Sequence, residues 1–105
     1  MGNVLILNEE NFAEVTSQGV VVVDFYADWC APCRKMAPRF EEAKARYEGR
    51  AVLAKVNTDE NRSIVASHGI RGIPTLIFFK DGEIADRVTG EIDESTLDEK
   101  INALL

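Results

Sequence analysis

The chain has 105 residues, 46% apolar and 29% charged, the size and balance of one globular domain with a core of its own rather than a disordered chain. Twelve basic against eighteen acidic side chains leave a net charge of −6. That argues against nucleic acid and anionic membranes, which recruit basic surfaces.

The longest strongly apolar run, Val20–Val23, is far too short to span a bilayer. Met1–Ile6 has neither a basic leader region nor the Ser/Thr of a myristoylation signal, so a cytoplasmic location is expected. There is no repeat, low-complexity tract or linker, and residues 1–105 read as a single domain.

In chain order, Asn3–Leu7 is a short apolar run that suggests a first strand. Asn8 can cap a helix through Thr16, with Phe12 and Val15 facing inward and Gly19 ending the segment. Val20–Ala27 is apolar on both alternating faces, as a strand covered on two sides must be, and only Asp24 breaks it. A helix carrying Cys30 and Cys33 follows, its buried stripe being Met36, Ala37, Phe40, Ala43 and Tyr47. Pro38 lies inside that helix and is expected to kink it.

Ala51–Asn57 is another strand with one charge, Lys55, amid apolar neighbours. A strand–helix–strand run of this length predicts two parallel strands with a right-handed crossover. Asp59 begins a shorter helix that ends at Gly69. Ile73-Pro74-Thr75 leads into the strand Leu76–Lys80, and Asp81-Gly82 predicts a hairpin to Glu83–Thr89. After Gly90, Asp93 caps a last helix with Ile92 and Leu97 as a hydrophobic staple and Leu97, Ile101 and Leu104 inward. The order βαβαβαββα is an α/β fold: a mixed sheet flanked by helices.

The chemistry centres on Trp29-Cys30-Ala31-Pro32-Cys33, which holds both cysteines and the only tryptophan. If Cys30 opens a helix, the two thiols stand one turn apart within disulfide reach. The sulfur at the helix start meets unpaired N–H groups and the positive dipole end, which favour thiolate. Cys33, a turn further in, is expected to be shielded. A nucleophile and a resolving partner are the two roles that thiol–disulfide exchange requires.

A structural bridge closing so tight a ring would contribute only roughly 2 kcal/mol. Structural zinc wants four ligands, and the chain offers Cys30, Cys33 and the lone His68. A redox pair with no metal is therefore favoured, because C-x-x-C beside a βαβ pattern reads as redox.

Pro32 fits the first helical turn, where a missing N–H costs nothing, and helps hold both sulfurs. Trp29 is either a core aromatic or a lid over the thiols. Asp24, on a doubly covered strand, should have a raised pKa. It is either a structural acid bonded to backbone or to Lys55, or the group that takes the Cys33 proton, with Lys55 tuning it. Pro74 can simply start a strand, and His68 near a helix C-terminus carries no expected catalytic role.

The segment from Phe25 to Pro38, FYADWCAPCRKMAP, resembles the active-site segment of the thioredoxin family. Lys55–Asp59, Gly69–Leu76, Phe79–Gly82 and Gly90 resemble its later signatures, so the similarity covers essentially the whole chain. The resemblance implies a thioredoxin fold, a five-stranded mixed β-sheet flanked by four α-helices. It implies general protein-disulfide reductase activity, with no bound cofactor and with electrons received from an NADPH-dependent thioredoxin reductase. It also implies a monomer whose partners are disulfide-containing proteins.

By position, Cys30 is then the attacking thiol, Cys33 the resolving one, Asp24 the buried acid and Lys55 its neighbour. Pro74 is the cis-proline facing the disulfide. Ile73 and Thr75 offer backbone to a substrate peptide, and Trp29, Ala31, Gly72, Ile73 and Gly90 complete the docking surface.

Two features depart from the family pattern. Ala31 stands where glycine is usual, a change of roughly 0.8–1 kcal/mol in helix propensity that bears on the potential and not on the reaction type. Thr89 and Glu91 make the surface around Gly90 more polar and acidic. Two other readings share these residues: an oxidant or isomerase, separated by potential, and a docking module that rarely uses its thiols.

Overall fold

Residues 4–105 are described by a computed structural model. Asn3, the first residue of the expected first strand, lies outside them. The elements are β1 (Leu5–Ile6), α1 (Phe12–Thr16), β2 (Val20–Tyr26), α2 (Ala31–Arg46), β3 (Val52–Asn57), α3 (Arg62–Ser67), β4 (Thr75–Lys80), β5 (Glu83–Thr89) and α4 (Glu94–Asn102). They form one sheet in the order β1-β3-β2-β4-β5. The pairs β1–β3 and β2–β3 are parallel, while β2–β4 and β4–β5 are antiparallel. The expected five-stranded mixed sheet with four helices is present, and β2 and β3 are parallel as the βαβ reading requires.

The continuous apolar run of β2 is explained by two cores. Val22 packs with Met36, Phe40, Ala43 and Tyr47 of the α2 segment and with Leu97 and Ile101 of α4. Val21, Val23 and Phe25 point the other way, against Phe12 of α1 and Ile64 of α3. Alternation by two therefore sends Val21, Val23 and Phe25 into one packed layer and Val22 into the other. By the same alternation Asp24 shares the face of Val22, beneath α2. Burial of Phe40, 1% exposed, contributes on the order of 1.5–3 kcal/mol. Helix α2 runs as one element through the exposed Pro38.

Two helices begin later than the sequence suggests. Helix α1 is regular only from Phe12, but Asn8 does cap the turn ahead of it: its side chain accepts from Glu10 N at 2.9 Å and Asn11 N at 3.1 Å, and its carbonyl from Phe12 N at 3.0 Å. The Asn11 side chain in turn accepts from Asn8 N at 2.7 Å. The reciprocal Asn8–Asn11 bonds have the form of a capping box. Helix α3 starts at Arg62 and not Asp59 because Asn57 Oδ1 takes the Asp59 N–H at 2.9 Å, and Thr58 donates to Tyr26 O from both N–H and hydroxyl.

The hairpin is as expected: Asp81 and Gly82 have φ of 50° and 89°, the positive pair that a type I′ turn demands. The α4 cap is also as expected, with Asp93 accepting from Thr96 N at 2.9 Å and Ile92 packed on the core that contains Leu97.

Candidate functional site

Cys30 is the N-cap of α2, with Ala31 and Pro32 as the first helical residues and Cys33 following. Its sulfur accepts the Cys33 N–H at 3.2 Å, doing what a serine or aspartate oxygen does at other helix starts. A backbone N–H aimed at a sulfur from a helix start is the kind of donor that favours a thiolate. The cysteines are joined as a disulfide with Cα atoms 5.2 Å apart.

The expected contrast between an open Cys30 and a covered Cys33 is absent from this oxidised state, where the residues are 4% and 3% exposed. The reason is that the helix start is tucked against Ala27, Tyr26 and Ile73, which pack around both. The asymmetry lies in what each sulfur faces. Cys30 Sγ is 3.8 Å from the Ile73 carbonyl, in the turn before Pro74. Cys33 instead lines a cavity of about 370 Å³ shared with Asp24, Lys55, Tyr26, Ala37 and Phe40.

Asp24 is 4% exposed and its Oδ1 has no hydrogen-bond partner. Burial raises its pKa from the ordinary 3.8 to about 7, with Lys55 opposing the rise. Lys55 lies directly beside Asp24 in the β2–β3 register. Its ammonium sits 5.4 Å from the Tyr26 ring centroid, and no ion pair joins it to Asp24 among the described residues. A structural acid bonded to Lys55 is therefore not what the geometry contains.

The Ile73–Pro74 bond is cis. Pro74 O accepts from Gly90 N at 2.7 Å, and Thr75 Oγ1 donates to Gly72 O at 2.5 Å. Since that proton is committed, the Thr89 hydroxyl, 3.1 Å away, donates to Thr75 Oγ1. A side chain on Gly72 would meet Thr89 Cγ2 at 3.2 Å. Gly72, Ile73, Pro74, Thr75 and Gly90 are thus one bonded unit. Among the described residues, Ile73 itself makes no backbone–backbone hydrogen bond.

Trp29 is no core aromatic: it is 68% exposed, and its indole N–H donates to Asp59 Oδ2 at 2.9 Å. Asp59 was legible only as a helix start. Thirty residues separate the partners, and nothing local in the sequence signals the bond. His68 stands apart from the site, its Nδ1 2.9 Å from Ile64 O and its ring 4.9 Å from that of Phe12. Among the described residues no group of three His, Cys, Asp or Glu side chains is placed to hold a metal ion. None of their helices is long and apolar enough to cross a membrane.

A helix-capping cysteine bonded to its neighbour one turn on, beside a cis-proline turn and above a buried acid, defines a thiol–disulfide oxidoreductase site. A family model for thioredoxin matches residues 3–103. The chain is 41% identical over 103 residues to the chloroplastic M-type thioredoxin of Pisum sativum, covering 96% of this chain and 60% of that protein. It is 47% identical over 81 residues to thioredoxin 1 of Nostoc sp., covering 77% of this chain and 76% of that protein. To the thioredoxin of Synechocystis sp. it is 43% identical over 93 residues, 87% of either chain. The chain belongs to the thioredoxin family.

Proposed function

We propose that this domain, residues 1–105, is a monomeric cytoplasmic protein-disulfide reductase. Cys30 is the nucleophile and Cys33 the resolving thiol. The Cys30 thiolate attacks one sulfur of a partner's disulfide, and the other sulfur leaves as a thiolate that takes a proton from solvent. The Cys33 proton passes to the ionised Asp24, Cys33 attacks Cys30 Sγ, and the partner's second thiolate departs and takes a proton from solvent while Asp24 releases its own. The partner gains two electrons and two protons, and the domain's dithiol becomes the disulfide.

The observation that carries this reading is the cavity joining Cys33, and not Cys30, to a buried carboxyl with an unpartnered oxygen. A pKa near 7 suits that carboxyl to exchange a proton at neutral pH. Lys55 tunes the acid through its field, and Pro32 fixes the helix start. Pro74 keeps the Ile73–Thr75 turn against the sulfurs. The partner's extended segment docks on Trp29, Ala31, Gly72, Ile73, Thr75 and Gly90. No bound cofactor is needed, because an NADPH-dependent thioredoxin reductase returns the disulfide to the dithiol.

Insulin reduction with Cys30→Ser tests the assignment. A reductase loses all turnover. A variant that still turns over would refute Cys30 as nucleophile, and a wild-type protein that binds insulin without reducing it would make the domain a docking module.

A further inference from the structure

The β5–α4 loop, which carries Gly90, meets the cysteine helix through Ile92, packed on the core that contains Met36 and Phe40, and through the polar side chain of Arg39. Arg39, on the third turn of α2, places one guanidinium nitrogen 2.8 Å from Glu91 Oε2 and another 2.9 Å from the Ile92 carbonyl. Arg39 and Glu91 are 34% and 31% exposed at the side chain. An ordinary surface ion pair at such exposure is worth little. This one differs in two ways: the planar fork spans two acceptors at once, and Gly90, adjacent to Glu91, donates to the Pro74 carbonyl at 2.7 Å. The chain Arg39–Glu91–Gly90–Pro74 thus runs from the helix bearing Cys30 and Cys33 to the turn facing them. Gly90 itself has φ of 104° and open space where a Cβ would be, so no side chain at this position packs the loop in place.

We propose that Arg39 is a positioning residue for partner binding: it fixes the Gly90 loop relative to the cysteine end of α2, so that a folded partner meets both sides of the groove in one geometry. The proposal rests on the reading of Gly72–Thr75 and Gly90 as the partner-docking surface. A small disulfide reaches Cys30 without touching the loop and does not depend on the clamp.

The test is single-turnover oxidation of the fully reduced protein, followed by Trp29 fluorescence, with insulin and with hydroxyethyl disulfide. For Arg39→Met the half-saturating insulin concentration is expected to rise about fivefold, the scale of one partly exposed charged contact. The limiting rate and the hydroxyethyl disulfide rate should hold, and the Gly90 amide should exchange with solvent faster. Arg39→Lys keeps the charge but cannot span both acceptors, and should fall between. A lysine variant equal to wild type with insulin would overturn the clamp in favour of charge alone. Equal losses with both disulfides, or no loss with insulin, would also overturn it. A wild-type protein that reduces neither disulfide would instead refute the reductase reading beneath it.

Discussion

The buried carboxyl of Asp24 should make this domain less stable as the pH rises, and replacing it should remove that dependence. Its folded pKa is about 7 against an ordinary 3.8, so between those values the folded state binds a proton that the unfolded chain has released. Stability then falls with pH across that window, because the slope follows protons bound in the unfolded minus the folded state. The advantage of the neutral acid is fully present below pH 3.8 and is lost above pH 7. With 1.36 kcal/mol per pKa unit, the difference of 3.2 units between those two values is about 4 kcal/mol. The assay is guanidinium unfolding of the oxidised wild type and Asp24→Asn at intervals from pH 4 to pH 9.

Subtracting one curve from the other cancels the groups the two proteins share. Among these are Asp86, lowered chiefly by its hydrogen bond to Lys100, and Asp93, lowered by the Thr96 backbone N–H. Those two contribute in the opposite sense, losing stability on acidification. Relative to wild type, the asparagine variant should gain about 4 kcal/mol between the ends of that range. A difference that stays flat with pH would refute burial as the cause of the shift, whatever the absolute stabilities.

Cys33→Ser should leave the first attack intact and stop the second, so mass spectrometry should find a mixed disulfide between Cys30 and a partner peptide in place of turnover. Phe40→Ala removes a side chain that is 1% exposed and should cost about 3–5 kcal/mol in denaturant unfolding. Gly90→Ala puts a Cβ on a residue with φ of 104° and should cost roughly 1–3 kcal/mol. The same change should weaken partner binding, read as a higher half-saturating insulin concentration.

Much of the fold is written in short-range spacing. Alternation along Val20–Tyr26 marks a strand between two cores, and Asp81-Gly82 marks a hairpin because few residue pairs accept two positive φ values. Cys30 and Cys33 can bridge because three positions on a helix bring their Cα atoms to 5.2 Å. The starts of α1 and α3 were less legible. Asn8 caps as its residue type suggests, but only a single turn ahead of Phe12, and Asn57 spends its side chain on a turn before α3, local choices that residue types alone do not decide.

The sequence by itself thus determined the element order, the redox pair and the presence of an acid where an acid is costly. Only the tertiary structure decided what surrounds them. It placed Lys55 beside Asp24 yet turned its ammonium toward Tyr26, and left one oxygen of Asp24 without a partner. It exposed Trp29 and bound it to Asp59, and it joined Arg39 to Glu91. The reason is range: strand and helix patterns repeat every two to four residues, so a local segment carries them. Contacts between Trp29 and Asp59, or between Arg39 and Ile92, join residues 30 and 53 positions apart, and come into being only when the sheet order brings those segments together.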